Sequence, residues 1–260
     1  MSTLNKTLVI ITIVIAFGLI VTGIVGAVLS FPDETKSIPT YAFEKKQALG
    51  QNERYNAVQI DSDEVHVKVM TADVKQAEIH VSGNFYQEMN SLANIVESKI
   101  QNGVLYISFK KSLLLQNIMV LGFDLGKNTT EQQSVEATLI LPKQSYRWME
   151  VDSFTGRIDI VNLNAVLDLD SDAGDITIRT EEQEPMINAE TEEGNITLVT
   201  IGKIDRSRFL ISSEYGATEL YGESVYDWRQ KDDDHQDWKE FKQRDRIMLE
   251  SEQGSILVKE

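Results

Sequence analysis

In the second half of the chain, apolar residues recur two positions apart behind a glycine, and the whole phrase repeats. Ser153-Phe-Thr-Gly156-Arg-Ile158-Asp-Ile160 is followed by Ser171-Asp-Ala-Gly174-Asp-Ile176-Thr-Ile178 and Thr191-Glu-Glu-Gly194-Asn-Ile196-Thr-Leu198. Two further copies are Ser213-Glu-Tyr-Gly216-Ala-Thr218-Glu-Leu220 and Ser251-Glu-Gln-Gly254-Ser-Ile256-Leu-Val258. The glycines are 18, 20, 22 and then 38 residues apart, the last interval being two periods. A period of two after a turn predicts a short strand with one buried face. Glycine suits a position that needs positive φ or a close backbone approach, and the nearby hydroxyl can bond the turn. Strands this short cannot bury their own apolar faces, so repetition predicts stacked coils. The expected fold is mainly β, a β-helix-like solenoid. A β-sandwich is the alternative, because evenly spaced strands also fit two sheets packed face to face. Gly156, Gly174, Gly194, Gly216 and Gly254 are the expected structural turns, with Ile176, Ile178, Ile196 and Leu198 buried.

Upstream, Leu8 to Leu29 is an uncharged apolar run of 22 residues, and about 20 suffice to cross a bilayer as a helix. It predicts an uncleaved signal-anchor and single-pass membrane insertion, although Val25 and Ala27 also form a small-residue cleavage motif. Lys6 before it and Asp33-Glu34 after it predict a cytoplasmic tail over 1–7 and an extracellular C-terminal domain. Residues 30–52 read as a juxtamembrane linker with a short helix near Phe43 to Leu49. The repeat domain is expected over 53–260, with a charged insert at about 223–246 standing where one coil would otherwise lie. Strands are expected at Ala57–Ile60, Val65–Met70, Ala77–Val81 and Val135–Leu141. Ser98 to Ile107, with Asn102-Gly103, reads as a looser copy of the repeat. Leu113 to Leu125 reads as a packed hairpin, with a loop touching the membrane as the alternative, and Gly126 to Gln133 as a polar loop.

Composition narrows the chemistry. A formal charge of −16 opposes a nucleic-acid partner, since phosphate would be repelled. The chain has no cysteine, which removes disulfides, thiolate nucleophiles and thiol-based metal sites. Asp168-Leu-Asp170-Ser-Asp172-Ala-Gly174-Asp175 superficially matches a calcium loop. However, Ala173 stands where an EF-hand needs glycine, and Arg179 where it needs glutamate. Glu181-Glu182 and Glu192-Glu193 fall about one period apart, and stacking would align them on one edge. His66, His80 and His235 lack metal-ligand spacing. No nucleophile elbow, phosphate loop or zinc-protease motif is present. The reading is therefore no catalytic residue, no cofactor and no metal. Tyr215, Tyr221, Tyr226 and Trp228, around the start of the charged insert, form the candidate recognition surface, with covering of the solenoid edge as the alternative role for Tyr221, Tyr226 and Trp228.

The repeated phrase from Ser153 to Val258 resembles the putative-adhesin family of bacterial β-strand repeat proteins, some of which accompany cell-envelope stress genes. That resemblance implies a right-handed β-helix-like fold and no catalytic residues. The expected function is non-catalytic binding or scaffolding at the cell envelope, through wall glycan or a membrane-protein partner. Two alternatives stand beside it: an accessory regulatory subunit of a membrane complex, and a wall-polymer hydrolase built on paired carboxylates.

Overall fold

In the computed structural model the described residues are 41–50, 53–85, 91–109, 135–225 and 247–260. Strands β1 to β18 occupy Tyr41–Leu49, Ala57–Ser62, His66–Ala72, Ala77–Phe85, Val96–Gln101, Val104–Phe109, Glu136–Pro142, Trp148–Ser153, Ile158–Val161, Val166–Ser171, Ile176–Thr180, Ile187–Thr191, Ile196–Thr200, Phe209–Ser213, Thr218–Leu220, Glu223–Ser224, Ile247–Ser251 and Ile256–Lys259. They form two sheets. The first, sheet A, runs β1-β4-β7-β3-β9-β11-β13-β18-β15-β16; the second, sheet B, runs β14-β17-β12-β10-β8-β2-β6-β5. Successive strands of the repeat alternate between sheets, so each coil crosses the core once. This joins the two expectations: a solenoid whose flattened coils make a pair of facing sheets.

The alternation of the sequence explains the core. On sheet B, Met149 and Val151, Leu167 and Leu169, and Ile247 and Leu249 point inward and are fully buried. On sheet A the same holds for Ile158 and Ile160, Ile176 and Ile178, Ile196 and Leu198, and Ile256 and Val258. Identical phase puts like on like: Ile158, Ile176, Ile196 and Ile256 are successive register partners. Burying one such side chain contributes roughly 1.5–3 kcal/mol.

The turn joining sheet B to sheet A is where the repeat is most constrained. None of its five glycines has positive φ. What excludes a side chain is the coil below. A Cβ on Gly174 would stand on the Gly156 carbonyl, and one on Gly194 on the Gly174 carbonyl. The hydroxyl three residues earlier, itself buried, accepts from the glycine N–H, as in Gly174 N to Ser171 Oγ at 2.9 Å and Gly254 N to Ser251 Oγ at 2.8 Å. In several coils it also donates to a glycine carbonyl of the neighbour, as Ser251 Oγ does to Gly194 O at 3.0 Å. Ser62 and Val65 occupy the same phase in the β2/β3 coil, and Ser62 Oγ donates to Val65 O at 2.8 Å. Valine in place of glycine hid this copy from the periodicity.

The residue after the glycine carries a second ladder. Its side chain accepts the backbone N–H of its counterpart in the next coil. His66 Nδ1 accepts from Arg157 (2.9 Å), Asp175 Oδ1 from Asn195 (2.8 Å), Asn195 Oδ1 from Ser255 (2.9 Å) and Ser255 Oγ from Ala217 (3.4 Å). Arg157 has no acceptor to offer and instead pairs sideways with Asp159 at 2.8 Å.

Coil order departs from chain order. The β17/β18 coil does not end the stack; it lies between β12/β13 and β14/β15. Among the described residues the β12/β13, β17/β18 and β14/β15 coils are contiguous in both sheets across the doubled glycine interval. Residues 226–246 of the charged insert lie outside the described residues, as do the proposed hairpin 113–125 and the loop 126–133.

Antiparallel strands end both sheets at one end of the stack and sheet A at the other, where the last described strand of sheet B is β14, paired in parallel with β17. β1 pairs with β4 and β5 with β6 at one end, and β16 with β15 at the other. Residues 41–49 are thus an edge strand, not the short helix expected there; Phe43 and Leu49 are its buried anchors. Ser98 to Ile107 is not a coil of the repeat. Asn102 (φ 54°) and Gly103 (φ 77°) make a tight hairpin between β5 and β6, the strongest hairpin dipeptide available.

The structure also corrects the expectation of a single-pass membrane protein. Among the described residues no helix is long and apolar enough to cross a membrane. Their apolar side chains alternate into the core instead of forming a continuous run. Residues 8–29, which carried the transmembrane helix, the signal-anchor and the cytoplasmic-to-extracellular topology, lie outside the described residues.

Candidate functional site

The register of sheet B gathers carboxylates that are scattered in sequence. Asp61, Asp152, Asp170, Glu190 and Glu250 are successive register partners, each one residue before the turn hydroxyl and on the outer face. Serines flank the row at both ends, Ser108 beside Asp61 and Ser212 beside Glu250. With strands about 4.8 Å apart, five carboxylates span roughly 19 Å. Two residues on, the turns add Asp63, Asp172, Glu192, Glu252 and Glu214, and only Phe154 breaks that second row.

Like charges directly opposite on neighbouring strands are destabilising, and at two positions of the row they add to the effect of burial. Burial, then Asp152, Asp172, Asp168 and Glu192, raise the Asp170 carboxyl above its ordinary value. Burial, then Glu250 and Asp170, do the same to Glu190. The neighbouring outer column of the same sheet is built differently. There the register runs Gln59, Glu150, Asp168, Asn188; Gln59 Nε2 donates to Glu150 Oε1 at 3.1 Å and Asn188 Nδ2 to Asp168 Oδ1 at 3.1 Å, so each of two adjacent acids accepts from an amide. Sheet A carries no such row: its outer positions include Lys68, Asp159, Thr177 and Thr197 in one column and Met70, Val161, Arg179 and Val199 in another. Among the described residues, this row of five carboxylates in register lies on the outer face of sheet B.

The sequence candidates distribute as follows. Gly156, Gly174, Gly194, Gly254 and Gly216, in that spatial order, line the turns beside the acidic rows. Tyr215 is 76% exposed and Phe154 56% exposed, both in these turns. Tyr221 has another task. Its hydroxyl accepts from Ile204 N–H at 2.9 Å and lies 3.3 Å from Thr200 Oγ1. Its ring meets Phe209 edge-on, with centroids 6.3 Å apart. Tyr226 and Trp228 lie outside the described residues. The supposed calcium loop does not converge: Asp168 and Asp170 face outward on β10, Asp172 lies in the turn, and Asp175 bonds Asn195. No cluster of His, Cys, Asp or Glu suited to a metal ion occurs among the described residues. Glu181-Glu182 and Glu192-Glu193 follow strands of opposite sheets and so lie in different turns, not on one edge.

What sequence reasoning missed was the row itself. Its signal is the acidic residue immediately before each hydroxyl of the repeat, with the same phase in Asp61-Ser62.

No protein-family model matches the sequence, and no curated protein matches it. Among solved structures, a putative cell adhesion protein from Clostridium sporogenes superposes with a TM-score of 0.56 at 13% identity, over 84% of this chain and 99% of that one. The two chains share a fold. A putative adhesin from Bacteroides fragilis aligns at 12% identity over 84% of this chain and 97% of its own, but its TM-score of 0.36 is too low to define a common fold.

Proposed function

We propose that this protein is a non-catalytic binding or scaffolding protein of the cell envelope whose contact surface is the acidic face of sheet B. The observation that carries the reading is the row Asp61–Asp152–Asp170–Glu190–Glu250, five carboxylates opposite one another on successive strands, an arrangement that works against the fold, whereas in the adjacent column Glu150 and Asp168 each accept from an amide. Charge held at the expense of stability is expected at a site of function. A row of this kind selects a cationic partner, such as a lysine- or arginine-rich protein segment or an aminated polymer, and accelerates its encounter. The shared fold with a cell adhesion protein supports the binding class. The hydrolase reading needs two carboxylates flanking one bond, and the rows of sheet B instead run along an outer face.

A photo-crosslinking residue in place of Asp170, compared with one in place of Thr177 on sheet A, tests the proposal in cells of the source organism. Products specific to the Asp170 position are expected. A dominant membrane-protein product would give the regulatory-subunit version, and wall material the adhesive one. Equal products from both faces, or none from Asp170, would refute the contact surface.

A further inference from the structure

The displaced coil has a consequence that goes beyond binding at the acidic face. The two walls of the slot that β17/β18 occupies come from residues earlier in the chain, β12/β13 and β14/β15. The slot recognises its occupant along both walls. β17 pairs in parallel register with β12 and with β14 over five residues each, from Ile187↔Ile247 to Thr191↔Ser251 and from Phe209↔Ile247 to Ser213↔Ser251. β18 pairs with β13 and with β15. At the turn, Ser251 Oγ donates to Gly194 O and Ser213 Oγ to Gly254 O, at 3.0 and 2.8 Å. Asn195 accepts the Ser255 N–H and Ser255 in turn accepts the Ala217 N–H.

This polar ladder favours the order. Were β17/β18 stacked outside β14/β15, the Ser255 N–H would meet Ala217, whose methyl accepts nothing. The slot thus keeps one more ladder bond than the end of the stack would. Its connection to the preceding wall, residues 226–246, has 21 residues. A chain of that length reaches up to roughly 70 Å, whereas the slot lies one strand spacing, about 5 Å, from the coil that precedes the tether. Nothing in the pairing distinguishes the coil of the same chain from that of another.

We propose that residues 247–260 are an exchangeable donor coil, and that the slot between β12/β13 and β14/β15 accepts the donor coil of a second copy of this chain. Reciprocal donation gives a closed dimer and one-way donation an open string, with every native contact preserved in either.

The native chain has no cysteine, so the test uses full-length Val199→Cys and Lys259→Cys, register partners on the outer face of sheet A. The two single variants are unfolded, refolded together, and treated with a short bis-maleimide. A second mixture, Glu219→Cys with Leu257→Cys, probes the other wall. Exchange predicts a cross-chain product in both mixtures, of twice the monomer mass. At low occupancy its ratio to monomer rises about tenfold when protein concentration rises tenfold. The Val199→Cys/Lys259→Cys double variant shows that the label reports the pairing, by linking within the chain at high dilution. Linkage of the double variant within the chain at every concentration, with no cross-chain product in either mixture, would overturn the proposal. So would Val199–Val199 products as abundant as Val199–Lys259 ones.

Discussion

Replacing Gly174 by alanine tests the stacking geometry at its tightest point. The added Cβ would fall on the Gly156 carbonyl group, with the carbonyl carbon at 2.8 Å and Ser171 Oγ at 2.7 Å. Backbone cannot swing aside, and the Gly156 carbonyl oxygen is closer still, at 2.3 Å, so the two coils would have to part by about 1 Å to restore an ordinary van der Waals separation of about 3.4 Å. The bonds crossing that gap are Asp172 N to Ser153 O (3.1 Å), Ala173 N to Phe154 O (2.9 Å) and Ile158 N to Asp175 O (2.9 Å). Stretched by that amount they leave hydrogen-bonding range, and each contributes about 1 kcal/mol. With overpacking strain of roughly 1–3 kcal/mol, the expected loss is about 4–6 kcal/mol. Urea unfolding followed by circular dichroism measures it. Gly202→Ala is the control: Gly202 has φ 77° but nothing within 4 Å of a new Cβ, so only the left-handed penalty of roughly 1–2 kcal/mol applies. Gly216→Ala makes the same clash in the terminal coil, which can move outward, and should cost less than Gly174→Ala. A Gly174→Ala loss no larger than that of Gly202→Ala would refute the close-approach explanation.

Other outcomes follow from the same contacts. Asp170→Asn removes repulsion from Asp152 and Glu190 on either side and should stabilise the fold by about 0.5–1 kcal/mol at low salt, fading as salt screens the row; thermal unfolding across a salt series measures this. Because the folded-state pKa values of Asp170 and Glu190 are raised, their repulsion is complete at neutral pH. It is relieved as pH falls through those raised values towards the ordinary carboxylate range, so this pair makes stability rise on mild acidification. The Asp170→Asn/Glu190→Gln variant should show a smaller rise; an unchanged pH profile would contradict the assignment. Tyr221→Phe strands the Ile204 N–H, which is half-buried or better, and should cost roughly 1–3 kcal/mol with earlier hydrogen exchange in β14 and β15. Ser251→Ala breaks the lock on both Gly194 and Gly254 and should cost a similar roughly 1–3 kcal/mol by urea unfolding.

The parts of the fold legible in the sequence are those fixed by local alternation. The strands after each glycine from Ile158 to Leu220 and the inward Ile176, Ile178, Ile196 and Leu198 follow from a period of two counted from each glycine, whereas the sheet B strands that precede the turns do not. Three features were not legible from that count. Val65 replaces glycine in the β2/β3 coil, so the first turn of the series is silent. Asn102-Gly103 imitates the repeat in spacing, yet its left-handed backbone turns the chain back on itself. Coil order depends on hydrogen bonds between residues far apart, such as Ser255 with Ala217, which no periodicity reports. The acidic row belongs to the same kind: each acid is ordinary in its own strand, and only the parallel register sets five in line. The run at 8–29, read by length and hydropathy alone, suggested a membrane span that no described helix provides.

The most direct measurement of the central claim combines two readouts on one variant, Asp152→Asn/Asp170→Asn/Glu190→Gln/Glu250→Gln. Full-length protein is titrated against the envelope fraction of the source organism, and its unfolding is followed in parallel. If the row is a contact surface held at the expense of the fold, the variant is more stable than the wild type, and its binding is lost along with the salt dependence. Undiminished binding by a folded variant would contradict the account.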